Sequence, residues 1–484
     1  MNRQYLKLWI TLVGLFPGIG AESQTILDNQ MPSFRINLGH LHHLTETVVL
    51  QGKTCDIIHI YSDYPDYQRV DASQEGIACV DDAARAVVFY LRYFEITRRK
   101  SLLENARRLL NFIRVMQTED GEFYNFIDSN LTINKTGVTS RKSFKFWAAR
   151  GYWALGLGFR IFQTEDPQYA AELRTAFLKC QPPLKQLLKN YPKFKEINHI
   201  QYPQWLLQKT AADATAEFLL GLTEFLKVEP LPALRSAALK LAEGLIAMQL
   251  PDSAHFPGAF LSWINTWHAW GNAQTQALAA LGTVLEEKSL IQAAEKEAQY
   301  YSAPLLIDGL LREWQIGTET NPQRFPQIAY DIRCLALGLL RLAEATTNDD
   351  FAILAGLAAS WLTGNNVAQT PMYQPATGRC YDGINDTTQV NLNAGAESTI
   401  EALYTLIEIT NHPLAAKYLF YTTLERGTII DQPSGQLIKY RLFQNQSDQK
   451  IVLLENTSIN KWQLLTGERM MQFWKKLNQR RVKE

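Results

Sequence analysis

One pattern recurs six times along this 484-residue chain: a helix-length stretch opens with polar or aromatic residues and then turns apolar. Corresponding positions in successive openings are 57 to 66 residues apart, which indicates a repeated structural unit. Each interval also holds a second periodic segment that can run back, so we predict that the unit is a helical hairpin. The openings lie at residues 81–85, 146–150, 211–215, 267–272, 328–333 and 393–398.

The helices that begin at these openings are rich in alanine, glycine, leucine and valine and carry few charges beyond their first turn. This composition is typical of helices buried on all sides, and we expect an amphipathic outer helix behind each of them. We therefore predict an all-α fold, an (α/α)6 toroid or six-hairpin barrel, with a small C-terminal extension. Residues 34–50 are expected to supply the outer helix of the first hairpin.

The beginning of the chain has the features of an export signal. Residues 1–21 combine two basic residues, an apolar run and a proline followed by small residues, as in a secretory signal peptide. A membrane anchor is the alternative, but the apolar run is much shorter than the roughly 20 residues of a spanning helix. We therefore predict a secreted or periplasmic protein that has no membrane span once the signal is removed.

The rest of the chain is predicted to form a catalytic barrel domain and an extension packed on it. Hydrophobic residues make up 46% and charged residues 20% of the chain, which is ordinary for a globular protein with a sizeable core. The barrel domain is assigned to residues 22–411 and the extension to 412–484. Within the extension we expect a helix, two strands and a basic helix or tail, at 412–426, 436–443, 450–454 and 468–483.

Several classes of partner and cofactor are disfavoured. The formal net charge is zero, which gives no reason to expect a nucleic-acid partner. The five cysteines lack a CxxC spacing, and the histidines near the openings are not arranged as metal ligands. Export permits a disulfide, although an odd number of cysteines leaves at least one thiol unpaired. Since phosphate-binding, dinucleotide and Ser-hydrolase motifs are also missing, we predict no metal and no other cofactor.

Four carboxylates are the candidates for catalysis. Asp81 and Asp82 are adjacent at a helix start, where one aspartate suffices as a cap and a second would raise the proton affinity of its neighbour. Glu397 stands among alanine and glycine residues at the start of the sixth helix, and Asp382 lies in the loop before it. A cap or a turn would also explain each of them. We predict that the four are catalytic.

Aromatic and charged side chains cluster near the same predicted rim, because antiparallel hairpins place all inner-helix starts at one end of the barrel. Aromatic rings suit the apolar faces of sugars while acids bond their hydroxyl groups, so the mixture indicates a carbohydrate groove. The alternative is that the rings pack between helices and the charges form caps and salt bridges. The predicted substrate-binding residues are Tyr61, Tyr64, Glu75, Arg85, Trp147, Asp213, Trp267, Trp270, Tyr330, Asp331 and Tyr381.

Short motifs add a resemblance to a known group of proteins. The segments 361–366, 372–378, 380–383 and 393–399 look like the closing hairpin of bacterial members of the six-hairpin glycosidase superfamily. That superfamily includes glycoside hydrolases and some polysaccharide lyases and epimerases. The resemblance implies the barrel fold and an oligosaccharide or polysaccharide substrate, but a fold does not fix a reaction.

The reaction we predict is hydrolysis of a glycosidic bond by two carboxylates. Glu397 would be the general acid and Asp81 or Asp82 the base, with Asp382 as the substitute for either role. One alternative is a lyase acting on uronic acids, with a Tyr or His base and an arginine that neutralises the sugar acid. Another is a glycan-binding protein without catalysis. The residues available for the lyase are Tyr61, Tyr64, His268, Arg85 and Arg333.

Overall fold

Six long helices form the centre of the structure, a computed structural model that describes residues 26–30, 34–197, 200–317, 322–431 and 434–481. Each helix packs against the next, and the sixth packs against the first, so the helices close into a ring. They begin within or close to the openings predicted from the sequence. Their bounds are Val80–Thr97, Phe146–Glu165, Ala212–Leu226, Gln274–Leu285, Ala329–Thr346 and Ala396–Asn411.

An outer helix follows each of the first five inner helices and packs against it. The outer helices show the expected division into a buried and an exposed face; in Lys100–Met116 the leucines face inward and most of the arginines stay partly exposed. The outer helices are Lys100–Met116, Pro167–Leu178, Pro232–Ala247, Lys288–Glu297 and Asp349–Ala359. Shorter helices lie at Gly39–Leu44, Gln181–Leu187, Ala303–Asp308 and Pro413–Ala416.

The second and third inner helices approach each other through glycine. A Cβ atom placed on Gly156 would lie 2.3 Å from the carbonyl oxygen of Gly221, and one on Gly221 would lie 2.6 Å from that of Tyr152. Any larger side chain would push the two helices apart, because neither backbone can yield without moving its whole helix. Gly156 and Gly221 therefore set the distance between the second and third inner helices.

The predicted outer helix over residues 34–50 is wrong except at its centre. Only Gly39–Leu44 is helical, and the chain then forms an antiparallel hairpin, Thr45–Leu50 with Lys53–Ile58, against the outer helix Lys100–Met116. The β-branched residues of Thr45–Leu50 favour a strand, and Gln51 and Gly52 both have positive φ, as a two-residue hairpin turn requires. A short helix and a β-hairpin thus replace the outer helix that was predicted for the first hairpin.

The all-α class is not confirmed, because strands hold 20% of the chain and helices about 49%. Most strands are short antiparallel pairs in the loops at the rim where the inner helices begin. Besides the hairpin above they are Tyr61–Asp63, Gln68–Val70, Ala78–Cys79, Phe126–Ile127, Phe194–Ile197, Ile200–Pro203, Thr266–His268, Glu313–Gln315, Tyr373–Gln374, Arg379–Cys380, Gly383–Ile384 and Val390–Asn391.

The C-terminal segment contains a four-stranded antiparallel sheet, ordered as in the sequence, and a final helix. The predicted helix over 412–426 is wrong: it ends at Ala416, and the segment Thr422–Ile430, which is rich in β-branched residues, forms a strand. One face of the sheet joins the main core, and the other packs on the final helix. The strands are Thr422–Ile430, Leu437–Gln444, Lys450–Asn456 and Lys461–Leu465, and the helix is Gly467–Arg481.

Other predictions concern the covalent state and location of the chain. All five cysteines are buried free thiols, so no disulfide joins them. The predicted signal peptide, residues 1–21, lies outside the described residues, and export stays a prediction. None of the helices in the described ranges has both the length and the apolar character needed to cross a membrane.

A buried acid beside the fourth inner helix gives a test of stability against pH. Glu297 accepts hydrogen bonds from the Phe260 N–H (3.1 Å) and the Thr275 hydroxyl, and burial raises its pKa from 4.5 to about 7. Because the unfolded chain loses this proton first, stability falls as pH rises from about 4.5 to about 7. We expect Glu297→Gln to match the wild type at pH 4.5 and to exceed it by roughly 2–3 kcal/mol at pH 8.

Urea unfolding at the two pH values measures this difference. Glu295→Gln, on the same outer helix but only half-buried, serves as the matched control and should change stability equally at both values. A Glu297→Gln protein whose gain is the same at pH 4.5 and pH 8 would contradict the assignment of an uncompensated buried acid.

Candidate active site

A cavity of about 510 Å³ opens at the rim where the inner helices begin. All four predicted catalytic carboxylates line it, together with five of the predicted substrate-binding residues. The complete lining is Ile60, Tyr61, Cys79, Asp81, Asp82, Arg85, Phe146, Arg150, Asp213, Trp270, Tyr330, Asp382, Gly395, Glu397 and Ser398. The residues come from distant parts of the chain, so closure of the ring brings them together.

Asp82 is the most deeply buried of the four carboxylates. The first inner helix is capped by the sulfur of Cys79, which accepts from the Asp82 N–H, and the Asp82 carboxylate accepts from Arg85 Nη1 at 2.7 Å. Burial raises the pKa of Asp82 to about 6, although Arg85 opposes the shift. The carboxylate therefore does not serve as the cap, and it is held below the surface of the cavity.

Arg85 joins three carboxylates at the base of the cavity. Besides Asp82, its guanidinium donates to Glu397 Oε2 and, from Nε, to Glu401 Oε1 at 3.0 Å. Glu397 is the exposed member of this group, with 41% of its side chain accessible, whereas Glu401 is buried. Arg85 thus links the first inner helix to the sixth across the seam of the ring.

Asp81 is oriented by residues of two other segments. Asn125 Nδ2 donates to its Oδ2 at 3.1 Å, and Arg150 Nη1 lies 3.7 Å from its Oδ1. No hydrogen bond reaches Oδ1 from the part of the chain that the structure describes. Oδ1 is itself buried, so the 21% of the side chain that is exposed leaves Asp81 only partly open to the cavity.

Asp382 belongs to the loop before the sixth inner helix. Its Oδ1 accepts from the Gly395 N–H (2.7 Å) and from the Ser398 hydroxyl (2.8 Å), both in the first turn of that helix or just before it. Burial raises the pKa of Asp382, and the negative charge of Glu397 adds to the effect. The site therefore favours the protonated form of Asp382 over the carboxylate more than water does.

Sequence reasoning did not select Arg150 and Phe146 as site residues. The Arg150 guanidinium lies over the rings of Phe146 (4.5 Å) and Tyr330 (4.8 Å) and donates to the Tyr330 hydroxyl. Phe146 and Arg150 lie in the second predicted opening, and this position was the only feature of the sequence that pointed to them. The phenol comes from the fifth inner helix, 180 positions away, so the contact was not readable from the sequence.

Two further aromatic rings complete the walls. Tyr61 is 45% exposed, and Trp270 stacks on His268 with ring centres 4.0 Å apart. Asp213 lies beside this stack, with Oδ2 at 3.5 Å from His268 Nε2. Tyr61 therefore gives the cavity one exposed ring next to the carboxylates, whereas Trp270 is only partly exposed, with His268 stacked on it and the Arg312 guanidinium 3.7 Å from its ring centre.

Some predicted substrate-binding residues lie outside the cavity because they serve the core. Trp147 is buried and donates from its indole to the Phe123 carbonyl at 2.7 Å. Trp267 is only 4% exposed and stacks on Trp314 of the paired strand. Tyr381 is partly buried against the main core.

Other predicted residues serve the loops and helix ends. Asp331 is buried, accepts from the Ile328 N–H (3.0 Å) and pairs with Arg312 (3.1 Å), so it caps the fifth inner helix. Glu75 accepts from the Thr139 hydroxyl in a neighbouring loop. Tyr64 is exposed and rests edge-on against Tyr67 away from the cavity. The structure does not bring these three side chains into the site.

Arg333, proposed above for the lyase alternative, lies beneath the cavity. It is 1% exposed and donates to Glu217 at 2.5 Å, to Glu401 at 2.9 Å and to Gln276 at 3.1 Å. Burial opposes ionisation of Glu217, but Arg333 and Arg150 hold the pKa of that carboxyl below its usual value. Among the described residues, no group of three or more His, Cys, Asp or Glu side chains is placed to hold a metal ion.

Comparison with known proteins bears on the fold. No family model matches the sequence, and no curated protein matches it. A sugar epimerase from a ruminal bacterium is similar in structure, with a TM-score of 0.53 and 12% identity over 81% of this chain and 98% of that one. The cellobiose 2-epimerase of Spirochaeta thermophila gives 0.53 and 9% over 83% and 98%. That of Bacillus thermoamylovorans gives 0.51 and 12% over 80% and 98%. At such low identity the likeness shows the fold alone, which agrees with the barrel of helical hairpins predicted from the sequence.

Proposed function

We propose that this protein is a glycoside hydrolase that cleaves an oligosaccharide or polysaccharide with two carboxylates. The observation that carries the proposal is the convergence of Asp81, Asp82, Asp382 and Glu397 on one cavity that also presents the exposed ring of Tyr61. Hydrolysis of a glycosidic bond needs one carboxyl group to protonate the leaving oxygen and another to activate water or attack the sugar. On this proposal, residues 22–411 are the catalytic domain, an (α/α)6 barrel decorated with short strands.

We assign the general acid to Asp382. A general acid has to remain protonated near neutral pH. Burial and the negative charge of Glu397 both raise the pKa of Asp382, which favours its protonated form. The Gly395 N–H and the Ser398 hydroxyl hold one oxygen, which leaves the other to donate. Glu397, the acid expected from the sequence, is salt-bridged to Arg85 and is better placed to bind sugar hydroxyls.

We assign the base, or nucleophile, to Asp81. Asn125 fixes the carboxylate through Oδ2, Oδ1 accepts no hydrogen bond in the described part of the chain, and 21% of the side chain is exposed at the cavity wall. Asp82 is less suited, because Arg85 and the Cys79 thiol occupy its oxygens below the cavity surface. Asp81 and Asp382 belong to the two ends of the ring, the first inner helix and the loop before the sixth.

The lyase alternative has less support. A lyase needs an arginine that is free to neutralise the acid group of the sugar. Arg85 already donates to three carboxylates, and Arg333 is held by Glu217 and Glu401 below the cavity. Tyr64 and His268 also lie outside the cavity lining, so three of the five residues suggested for that reaction are not in the site.

A screen of oligosaccharides with detection of reducing ends tests the proposal. We expect the wild type to release sugar from at least one glycan and Asp81→Asn to release it at least 100-fold more slowly, the scale of a lost acid or base. Asp63→Asn, in a strand at the same rim but outside the cavity, is the matched control and should keep wild-type activity. Binding without any cleavage would support the glycan-binding alternative, and a product with a new double bond would support a lyase.

A further inference from the structure

The C-terminal sheet presents a polar row to the barrel. Lys439 lies directly opposite Glu455 on the neighbouring strand, and Glu455 lies opposite Trp462 on the next. Side chains of directly opposite residues share one face of a sheet. Further along the same face, Phe443 and Leu453 are buried in the main core. The face that packs on the barrel therefore changes from apolar to polar at one end.

A cavity of about 410 Å³ lies between this polar end and the barrel. Phe256, Tyr300 and Asp308 line it from the barrel side, and Lys439, Glu455 and Trp462 from the sheet. It shares no lining residue with the candidate active-site cavity, so the two are separate sites.

Two polar atoms at this cavity are buried without a hydrogen bond. Glu455 Oε2 and Trp462 Nε1 have no hydrogen-bond partner within the described part of the chain, and Glu455 is only 9% exposed. Lys439 Nζ stays 3.7 Å from that oxygen because it donates to Asp308 Oδ2 at 2.6 Å. Lys439 thus forms only a long ion pair with Glu455, and a ligand that supplies the missing hydrogen bonds to Glu455 and Trp462 would gain affinity from them.

The chemistry of these groups fits a sugar. A carboxylate accepts from hydroxyl groups, an indole N–H donates to a hydroxyl or ring oxygen, and aromatic side chains cover the apolar face of the ring. Asp308 and Glu455 balance Lys439 and Arg324 at the cavity, so no excess of positive charge favours a phosphate or sulfate. An interface that served packing alone would continue the apolar surface of Phe443 and Leu453.

We propose that the cavity between the barrel and the C-terminal sheet is a second, non-catalytic binding site for a unit of a neutral oligosaccharide. Glu455 accepts hydrogen bonds from adjacent hydroxyl groups, and the Trp462 indole donates to the same sugar. The site holds a glycan at a distance from the cavity where cleavage is proposed. It does not depend on the proposed hydrolysis, because binding here needs none of the four carboxylates.

Isothermal titration calorimetry on the Asp382→Asn protein tests the site while keeping cleavage slow. The probes are neutral oligosaccharides of three to six units from α- and β-linked glucans, mannans and xylans. We expect one of them to bind at two sites, and Glu455→Gln or Trp462→Phe to weaken one site about tenfold while the other is unchanged. Glu468→Gln, on the helix behind the opposite face of the sheet, is the matched control and should bind like its parent.

Two checks keep the test decisive. Circular dichroism and the melting temperature verify that the sheet variants fold, and Trp462→Phe retains an aromatic ring to limit the disturbance. Binding isotherms that Glu455→Gln and Trp462→Phe both leave unchanged would overturn the proposal, as would the absence of binding with every probe. Loss of binding in these variants while the wild type cleaves no glycan would uphold the second site and contradict the hydrolase.

Discussion

Replacement of Asp382 by asparagine is expected to lower kcat on an unactivated glycan by about 10²–10⁴-fold, the usual contribution of a general acid. Asparagine keeps the shape and can still accept from the Gly395 N–H and the Ser398 hydroxyl, but it has no proton to give to the leaving oxygen. Steady-state kinetics on the glycan found in the screen measure the loss. KM should change little, because the variant alters protonation of the leaving group more than binding.

A substrate with an acidic phenol as leaving group separates this role from a structural one. Such a group departs without protonation, so Asp382→Asn should lose much less activity on it than on the natural glycan. Asp386→Asn, an exposed aspartate of the same loop, is the matched control and should behave as wild type on both. An equal loss on both substrates would remove Asp382 from the acid role.

The pH dependence follows from the same assignment. A general acid works only when protonated, so kcat should fall as pH rises through the pKa of Asp382. Burial raises that pKa, which places the fall at higher pH than for an aspartate in water. The wild-type profile should lose this alkaline limb when the leaving group needs no proton.

Replacement of Arg333 by methionine is expected to destabilise the protein by about 3–5 kcal/mol. The change removes the nearest cation from Glu217 and leaves Glu401 with Arg85 alone, and removal of one partner of a buried ion pair has that order of cost. Urea unfolding at pH 7 measures it. Part of the loss should be recovered at pH 5, because protonation of Glu217 then removes the charge that has lost its partner.

The matched control is an exposed ion pair. Arg174→Met breaks a pair with Glu229, in which the arginine side chain is 42% exposed, and should cost less than about 1 kcal/mol. If Arg333→Met also lost less than 1 kcal/mol, the buried cluster would contribute little, and its place beneath the cavity would need another explanation.

The sequence was informative wherever one repeated pattern decided the structure. The spacing of the six openings predicted the ring, and a ring places its first and last helices side by side, which is why Asp81, Asp82, Asp382 and Glu397 share a cavity. The carboxylates could be selected because a second acid at a helix start exceeds what capping requires.

Predictions failed where contacts between distant segments decided the outcome. Trp267 has the position of a rim residue, but its strand pairs with Glu313–Gln315 and turns the indole into the core. Arg150 was missed because its place in the site depends on Tyr330 from another hairpin. The segments 45–50 and 422–430 were predicted as parts of helices, yet their β-branched residues and their pairing partners make them strands.

The seam of the ring has a consequence for how the chain folds. Arg85 and Glu401 are separated by 316 positions, so the contact that joins the two ends forms only after nearly all of the barrel has been synthesised. Until then, the apolar flank of the first inner helix has no partner and is exposed to water. Contacts of such long sequence separation slow folding and leave intermediates prone to aggregation. A chain that stops before the sixth inner helix would therefore be expected to precipitate or to require a chaperone.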